Sequence, residues 1–168
     1  MNMNVFLIEA LVVCIVFHFI IILIVRYRPE LEIYSYPPQI TQRWIDLGKV
    51  PAKQVPPLSE RLRKKLPAAA VIAVLLGLLV YKLNGCRSFI SGFLVSYGLW
   101  TAVDWYDALI IDCLWFCHSK MCILPGTEDL TDAYHDYAFH IRESCIGMAL
   151  GLPVCLLVGL AVQMISML

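Results

Sequence analysis

Charge is the scarcest feature of this sequence. Only 15% of its 168 residues are Asp, Glu, Lys or Arg, whereas 60% are hydrophobic. A typical globular domain has about 25% charged and about 45–50% apolar residues, and so short a chain cannot bury that apolar surplus in one core. The composition therefore excludes an ordinary soluble domain and predicts a membrane protein. Kinase, hydrolase, nucleotide-binding and nucleic-acid-binding signatures are also missing, so we expect no nucleic-acid partner.

The N-terminus lacks a basic region and a small-residue cleavage site, so we expect its apolar run to remain as a membrane span. A disulfide framework is not expected either. Four of the seven cysteines lie inside apolar runs, where cysteine behaves as a small hydrophobe; these are Cys14, Cys113, Cys145 and Cys155. The spacing of Cys113, Cys117 and Cys122 matches no standard zinc site, and buried reduced thiols are the favoured interpretation.

Four apolar segments are long enough to cross a bilayer, namely residues 5–25, 66–83, 89–116 and 145–168. A helix of about 20 residues spans the ~30 Å hydrocarbon layer and satisfies its own backbone hydrogen bonds there. We therefore predict an all-α membrane protein, with residues 1–168 forming a single transmembrane domain. Its four transmembrane helices form a bundle, and the loops 26–65 and 117–144 lie on the same side.

The distribution of lysine and arginine predicts the orientation of this bundle. Nine of the thirteen lie in the first loop: Arg26, Arg28, Arg43, Lys49, Lys53, Arg61, Arg63, Lys64 and Lys65. The positive-inside rule places that loop in the cytoplasm, so both termini are predicted to be extracytoplasmic. The basic loop should also contact anionic lipid headgroups. Within it, Ile40, Trp44 and Leu47 recur at helical spacing, which predicts a short interfacial helix.

Small residues recur every fourth position in the fourth span, at Gly147, Gly151 and Cys155. Such a stripe lets two membrane helices approach closely. It predicts a helix contact and carries no chemistry. A homo-oligomer is compatible with four short spans, although no residue specifies one.

Six ionisable residues are predicted to gather near the cytoplasmic face. They are Asp104, Asp107 and Asp112 in the third span, His18 in the first span, and His140 and Glu143 at the start of the fourth. Ionisable residues at membrane depth are costly and usually face a bundle interior or a water-filled cavity. Carboxylate and imidazole ligands together suit a divalent transition metal. Asp104, Asp107, His140 and Glu143 are therefore the candidate ligands, with His18 and Asp112 in support.

The segment before the fourth span supplies further candidates. Pro125 and Gly126 predict a turn, and Thr127 is a candidate N-cap for the helix that follows. On that helix Asp136, His140 and Glu143 would share one face. Glu128 and His135 are the candidate general acid or base.

Alternatives remain open at this stage. The aspartates of the third span could pair with Arg142 or line an ion or proton path, and His18 and His140 could ligate a haem. The leading hypothesis is a membrane-face site that binds a divalent metal or acts on a membrane-associated substrate. The competing class is a non-catalytic transporter subunit or partner-binding membrane component.

The stretch Leu124-Pro-Gly-Thr-Glu128 is followed by Tyr134-His-Asp-Tyr-Ala-Phe-His-Ile-Arg142. This arrangement resembles a pattern in small bacterial four-span integral membrane proteins of unassigned function. In those proteins, too, an acidic third span precedes a Pro-Gly-Thr-Glu turn and a Phe-His-x-Arg segment. The resemblance covers residues 100–143 and implies a multi-pass protein of the bacterial cytoplasmic membrane, without implying an activity.

Overall fold

The computed structural model describes residues 3–52, 71 and 73–168, and the regular elements in these residues are all helical. The α-helices are α1 (Met3–Tyr27), α2 (Pro38–Asp46), α3 (Ala73–Leu83), α4 (Phe89–Tyr106), α5 (Thr131–Tyr134) and α6 (Tyr137–Ser166). A π-helix, Asp107–Trp115, continues α4. Short 3-10 turns follow at Phe116–His118 and Lys120–Cys122, and two more precede α2 at Pro29–Leu31 and Ile33–Ser35.

Two segments, Met3–Tyr27 and Thr131–Ser166, are long and apolar enough to cross a membrane. Large apolar side chains cover the outer surface of α1, among them Leu7, Ile8 and Leu11, each more than half exposed. A contiguous apolar surface of this kind needs an apolar environment.

The predicted all-helical fold is confirmed for the described residues. Residues 66–70 and 72 of the predicted second span lie outside them, as do the basic residues Lys53, Arg61, Arg63, Lys64 and Lys65.

The chain divides into two compact units. Unit 1 comprises residues 1–13, 55–104 and 146–168, and unit 2 comprises 14–54 and 105–145. The cysteines, all seven of which lie within the described residues, form no disulfide.

Unit 1 is held together by close helix packing, as the stripe of small residues predicts. The Trp100 indole N–H donates to the Gly147 carbonyl at 3.2 Å, and the Asp104 carboxylate lies against the same glycine. A Cβ at Gly151 would lie 2.6 Å from Cδ1 of Trp100, so only glycine permits this approach. Here α4 and α6 are in direct contact.

Unit 2 has an aromatic core formed by Tyr36, Phe116 and Tyr134, whose rings contact one another edge-on or tilted. Around this core, α2 buries Ile40 and Trp44, and the Trp44 indole donates to the Pro125 carbonyl at 3.2 Å. The predicted short helix is therefore present, although Leu47 is exposed rather than buried.

The third predicted span differs from a regular helix. The α-helical part ends at Tyr106, and Asp107–Trp115 is a π-helix. In an α-helix, residues five apart point about 140° apart, whereas the π-helical hydrogen bond joins residue i to i+5, so such residues lie about one turn apart. The change of winding brings Asp107 and Asp112 towards one side, which the uniform helical wheel did not predict.

The expected helix start at Thr127 is wrong. Thr127 is fully buried, and its hydroxyl donates to the Leu124 carbonyl at 2.8 Å. The short helix α5 ends at Tyr134, and the chain restarts at Tyr137 with Asp136 as N-cap, since its carboxylate accepts from the Phe139 amide at 2.9 Å. Asp136 therefore caps α6, and it does not share a helical face with His140 as predicted. Its carboxylate oxygen accepts from the backbone amide at the start of α6.

Candidate functional site

A carboxylate–imidazole pair with a buried imidazole lies in unit 2. His140 Nδ1 is 3.0 Å from Asp112 Oδ2, and the His140 side chain is only 2% exposed. The π-helix supplies Asp112, and the first turn of α6 supplies His140. Both residues are among the predicted site residues, Asp112 in a supporting role, and the structure makes them direct partners.

The surroundings of His140 fix how its ring is used. Nδ1 faces the carboxylate and donates to it, so Nε2 is the nitrogen with a lone pair in the neutral ring. The rings of Phe116 and Phe139 contact the imidazole edge-on at 5.2 and 5.3 Å between centroids. Nε2 is buried and has no hydrogen-bond partner among the described residues. A carboxylate that holds an imidazole in this tautomer is the arrangement that makes histidine an effective proton acceptor.

Asp112 also lines a cavity of about 160 Å³. Asp107 and Glu32 line it as well, so three carboxylates belong to its wall. The Ser35 hydroxyl, also in the wall, donates to Glu32 at 2.9 Å. A partly enclosed cavity with a few convergent polar groups is the usual form of a small-molecule site.

Tyr36 also lines the cavity. It is 3% exposed, and its hydroxyl has no hydrogen-bond partner among the described residues. Burial raises the pKa of this phenol well above its usual range, so it stays protonated at physiological pH. An unsatisfied buried hydroxyl costs free energy.

The remaining predicted residues have other partners. His18 Nδ1 is 2.8 Å from the Tyr106 hydroxyl, and its ring lies beside Trp115. Glu143 is half-exposed and pairs with Arg142 at 3.5 Å. In unit 1, Asp104 packs against Gly147.

The two predicted acid or base candidates lie on exposed positions. Both carboxylate oxygens of Glu128 accept from the Gly126 amide, at 3.0 and 2.9 Å. These backbone hydrogen bonds lower the pKa of Glu128. His135 Nδ1 is 2.8 Å from the Thr131 carbonyl, and its ring lies 5.7 Å from that of His118. Neither residue lines the cavity.

Within the described part of the chain, no three His, Cys, Asp or Glu side chains are placed to hold a metal ion. The predicted set of Asp104, Asp107, His140 and Glu143 therefore gains no geometric support. The thiols of Cys113, Cys117 and Cys122 do not form such a site among the described residues either. Burial raises the pKa of Cys122 to about 11.

Sequence reasoning missed the contribution of the loop that follows α1. Glu32 and Tyr36 lie among prolines in a segment interpreted as an anchor, yet they complete the wall of the cavity. Tyr36 lies between two 3-10 turns and a proline, so no periodic pattern of apolar residues predicts its burial. Glu9 in α1 was also missed; in unit 1 it accepts a hydrogen bond from the Asn84 amide at 2.6 Å.

These observations define an all-helical protein with membrane-length helices and an Asp–His pair, its imidazole buried, beside an acidic cavity. No family model, curated protein or solved structure matches the chain.

Proposed function

We propose that the chain is a four-span protein of the bacterial cytoplasmic membrane whose Asp112–His140 pair accepts a proton from a membrane-associated substrate. The observation that carries the proposal is the 3.0 Å contact between His140 Nδ1 and Asp112 Oδ2. The His140 side chain that makes this contact is only 2% exposed. Buried ionisable groups of this kind are expensive within a membrane protein and usually serve function.

The location of the pair supports this proposal. Two helical segments have membrane length, and the basic loop 26–65 favours the cytoplasm for unit 2. Asp112 is the member of the pair that lines the cavity, so it is the group that touches a substrate there. His140 acts through Asp112 and is a positioning residue.

The chemistry requires one proton and no redox partner. An X–H bond of the substrate breaks, and the proton binds to the Asp112 carboxylate while the electron pair remains on the substrate. The hydrogen bond from His140 Nδ1 to Oδ2 is kept during the transfer. A carboxylate supported in this way matches the geometry required of a general base.

Nitrogen NMR of histidine-labelled protein in lipid nanodiscs tests the proposal. The signals of His140, assigned with His140→Gln, should show the tautomer protonated at Nδ1. Asp112→Asn removes the carboxylate that accepts from Nδ1 and should change the tautomer ratio that these signals report. Asp132→Asn removes the same charge from an exposed position of unit 2 and should leave them unchanged.

Two results would count against the proposal. His140 signals that do not respond to Asp112→Asn would show that the two residues are not coupled. A His140 ring that populates both neutral tautomers in the parent protein would show that the Asp112 carboxylate does not hold the proton on Nδ1.

A further inference from the structure

Glu9 and Asn84 form a polar contact in unit 1. Glu9 lies in α1, a helix of membrane length, and Asn84 directly follows α3. Asn84 is only 4% exposed, and its Nδ2 atom lies 2.6 Å from Oε2 of Glu9. An ionised carboxylate at membrane depth is costly, so the protonation state of Glu9 decides what this contact costs.

Two oxygen atoms of the contact have no partner. They are Oε1 of Glu9 and Oδ1 of Asn84, and both are buried without a hydrogen bond among the described residues. An ionised carboxylate only accepts hydrogen bonds, so it would leave part of its negative charge buried and unsatisfied on Oε1. A neutral acid carries no such charge and has one hydrogen to donate.

Within the described part of the chain, no basic side chain compensates a charge on Glu9, since the ion pairs formed there use other carboxylates. Two neighbouring elements could have supplied one. Asn84 brings the end of α3 to α1, and the Phe6 ring lies 3.1 Å from where a Cβ of Gly98 in α4 would be. The part of α6 in unit 1 contains no charged side chain.

The titratable residues of α3, α4 and the turn that joins them are Tyr81, Lys82, Cys86, Arg87, Tyr97 and Asp104. Lys82 and Arg87 are the basic ones, and both are exposed. Arg87 donates to the carbonyls of Tyr81 and Cys86 and lies over the Tyr81 ring. These contacts engage the guanidinium away from Glu9, so Glu9 has only an amide beside it.

The length of the contact indicates where the hydrogen lies. N–H···O bonds measure about 2.7–3.2 Å and O–H···O bonds about 2.5–3.0 Å. The observed 2.6 Å falls in the second range only. The oxygen and nitrogen of an asparagine amide are assigned from their hydrogen bonds, and a half-turn of the Asn84 amide places Oδ1 against Oε2 of Glu9. A protonated Glu9 then donates to the Asn84 carbonyl.

We infer that Glu9 is a proton-binding site in the first membrane-length helix, where its carboxyl is held as a neutral acid that donates to Asn84. The ligand is a single proton on Oε2. The unpartnered oxygens are closed to solvent, which leaves no room for a hydrated cation but does not affect a proton. Ionisation would remove the donor, so this contact between α1 and the end of α3 depends on the proton. The site is separate from the Asp112–His140 pair, which belongs to unit 2.

Infrared spectroscopy of the full chain in lipid nanodiscs at neutral pH tests the inference. The carbonyl stretch of a neutral carboxylic acid is separate from the two stretches of a carboxylate. The parent spectrum minus that of Glu9→Gln therefore reports the form of Glu9, and we expect it to contain one acid band and no carboxylate bands. Glu143→Gln is the matched control, because Glu143 is half-exposed beside Arg142. Its difference spectrum should contain carboxylate bands and no acid band.

Asn84→Leu tests the acceptor of the proton. This change removes the amide, and the acid band of Glu9 should move to higher frequency because its O–H loses the hydrogen bond. Glu9→Gln is neutral and nearly isosteric with the acid, so its thermal unfolding midpoint should match that of the parent. If Glu9→Gln does not fold, Asn84→Leu still decides, since it leaves the carboxyl in place.

Two results would overturn the inference. Carboxylate bands in the Glu9→Gln difference spectrum would show that Glu9 is ionised at neutral pH. An acid band at the same frequency in the parent and in Asn84→Leu would show that the proton is not donated to Asn84.

Discussion

Three polar groups of the loop between the π-helix and α6 form a closed set of hydrogen bonds. The Leu124 amide donates to the Tyr134 hydroxyl at 2.9 Å, this hydroxyl lies 2.6 Å from that of Thr127, and Thr127 donates back to the Leu124 carbonyl. Each hydroxyl therefore donates once and accepts once. At the residue scale, such sets explain why this loop is ordered without long regular structure.

Thr127→Val should lower the stability of unit 2 by about 1–3 kcal/mol, because the isosteric change leaves the buried Tyr134 hydroxyl without an acceptor. The thermal unfolding midpoint of the purified protein measures the effect. Thr131→Val, at an exposed position, is the matched control and should change stability by less than about 0.5 kcal/mol. Equal midpoints for the two variants would show that the set of hydrogen bonds contributes nothing.

The ion pair of Arg43 and Asp129 should make the stability of unit 2 depend on acid pH. The guanidinium contacts both carboxylate oxygens, at 3.2 and 3.0 Å, and this hydrogen bonding lowers the pKa of Asp129 below its ordinary value of 3.8. A lowered folded-state pKa contributes stability above the ordinary value, and the contribution is lost as pH falls through the folded-state value.

Unfolding midpoints of the parent and of Asp129→Asn, measured as a function of pH, check this expectation. The parent should be more stable at neutral pH, and the difference should shrink below pH 3.8. Asp132→Asn should show no such convergence. A difference that grows on acidification would contradict the assignment, as the sign of the linkage would be reversed.

At the scale of elements, the glycines of α6 set the distance to α4. The Trp100 ring occupies the space where a side chain at Gly151 would begin. Gly151→Ala should therefore destabilise the protein by about 1–3 kcal/mol, the usual cost of overpacking. Ala149→Leu, on an exposed face of the same helix, should be neutral in a bilayer. The comparison uses thermal unfolding in nanodiscs, and a neutral Gly151→Ala would disprove the close contact.

Sequence periodicity predicts the helical elements well, because apolar runs and small-residue stripes report directly on burial and helix contact. The apolar runs at 5–25 and 145–168 correspond to α1 and to most of α6, and α2 follows the spacing of Ile40 and Trp44. Periodicity does not predict the π-helix, since a change from α- to π-winding depends on how Asp107–Trp115 packs. It therefore could not pair Asp112 with His140.

Some residues of the candidate site can be recognised from the sequence and others cannot. Asp112 and His140 stand out because acids and histidines are rare in apolar runs. Tyr36 does not stand out, because a tyrosine in a proline-rich loop is ordinary and its burial follows only from contacts with Phe116 and Tyr134. The metal hypothesis combined residues by helix face, and that geometry required a uniform helix through Asp104, Asp107 and Asp112.

At the scale of the whole molecule, the proposal requires four crossings with both termini outside. Alkaline phosphatase fused after Leu168 should therefore be active in bacterial cells, and the same enzyme inserted after Gly48 should be inactive. Gly48 lies just beyond α2, in the loop 26–65. Activity after Gly48 would place unit 2 on the other side of the membrane and contradict the predicted orientation.

The central claim is that Asp112 and His140 act as one unit. A double-mutant cycle with Asp112→Asn, His140→Gln and the combined variant, measured by unfolding in nanodiscs, tests it most directly. The contact at 3.0 Å predicts that the two changes are not additive, with a coupling of about 0.5–3 kcal/mol. Effects that add to within about 0.3 kcal/mol would show that the two residues are independent and would contradict the account.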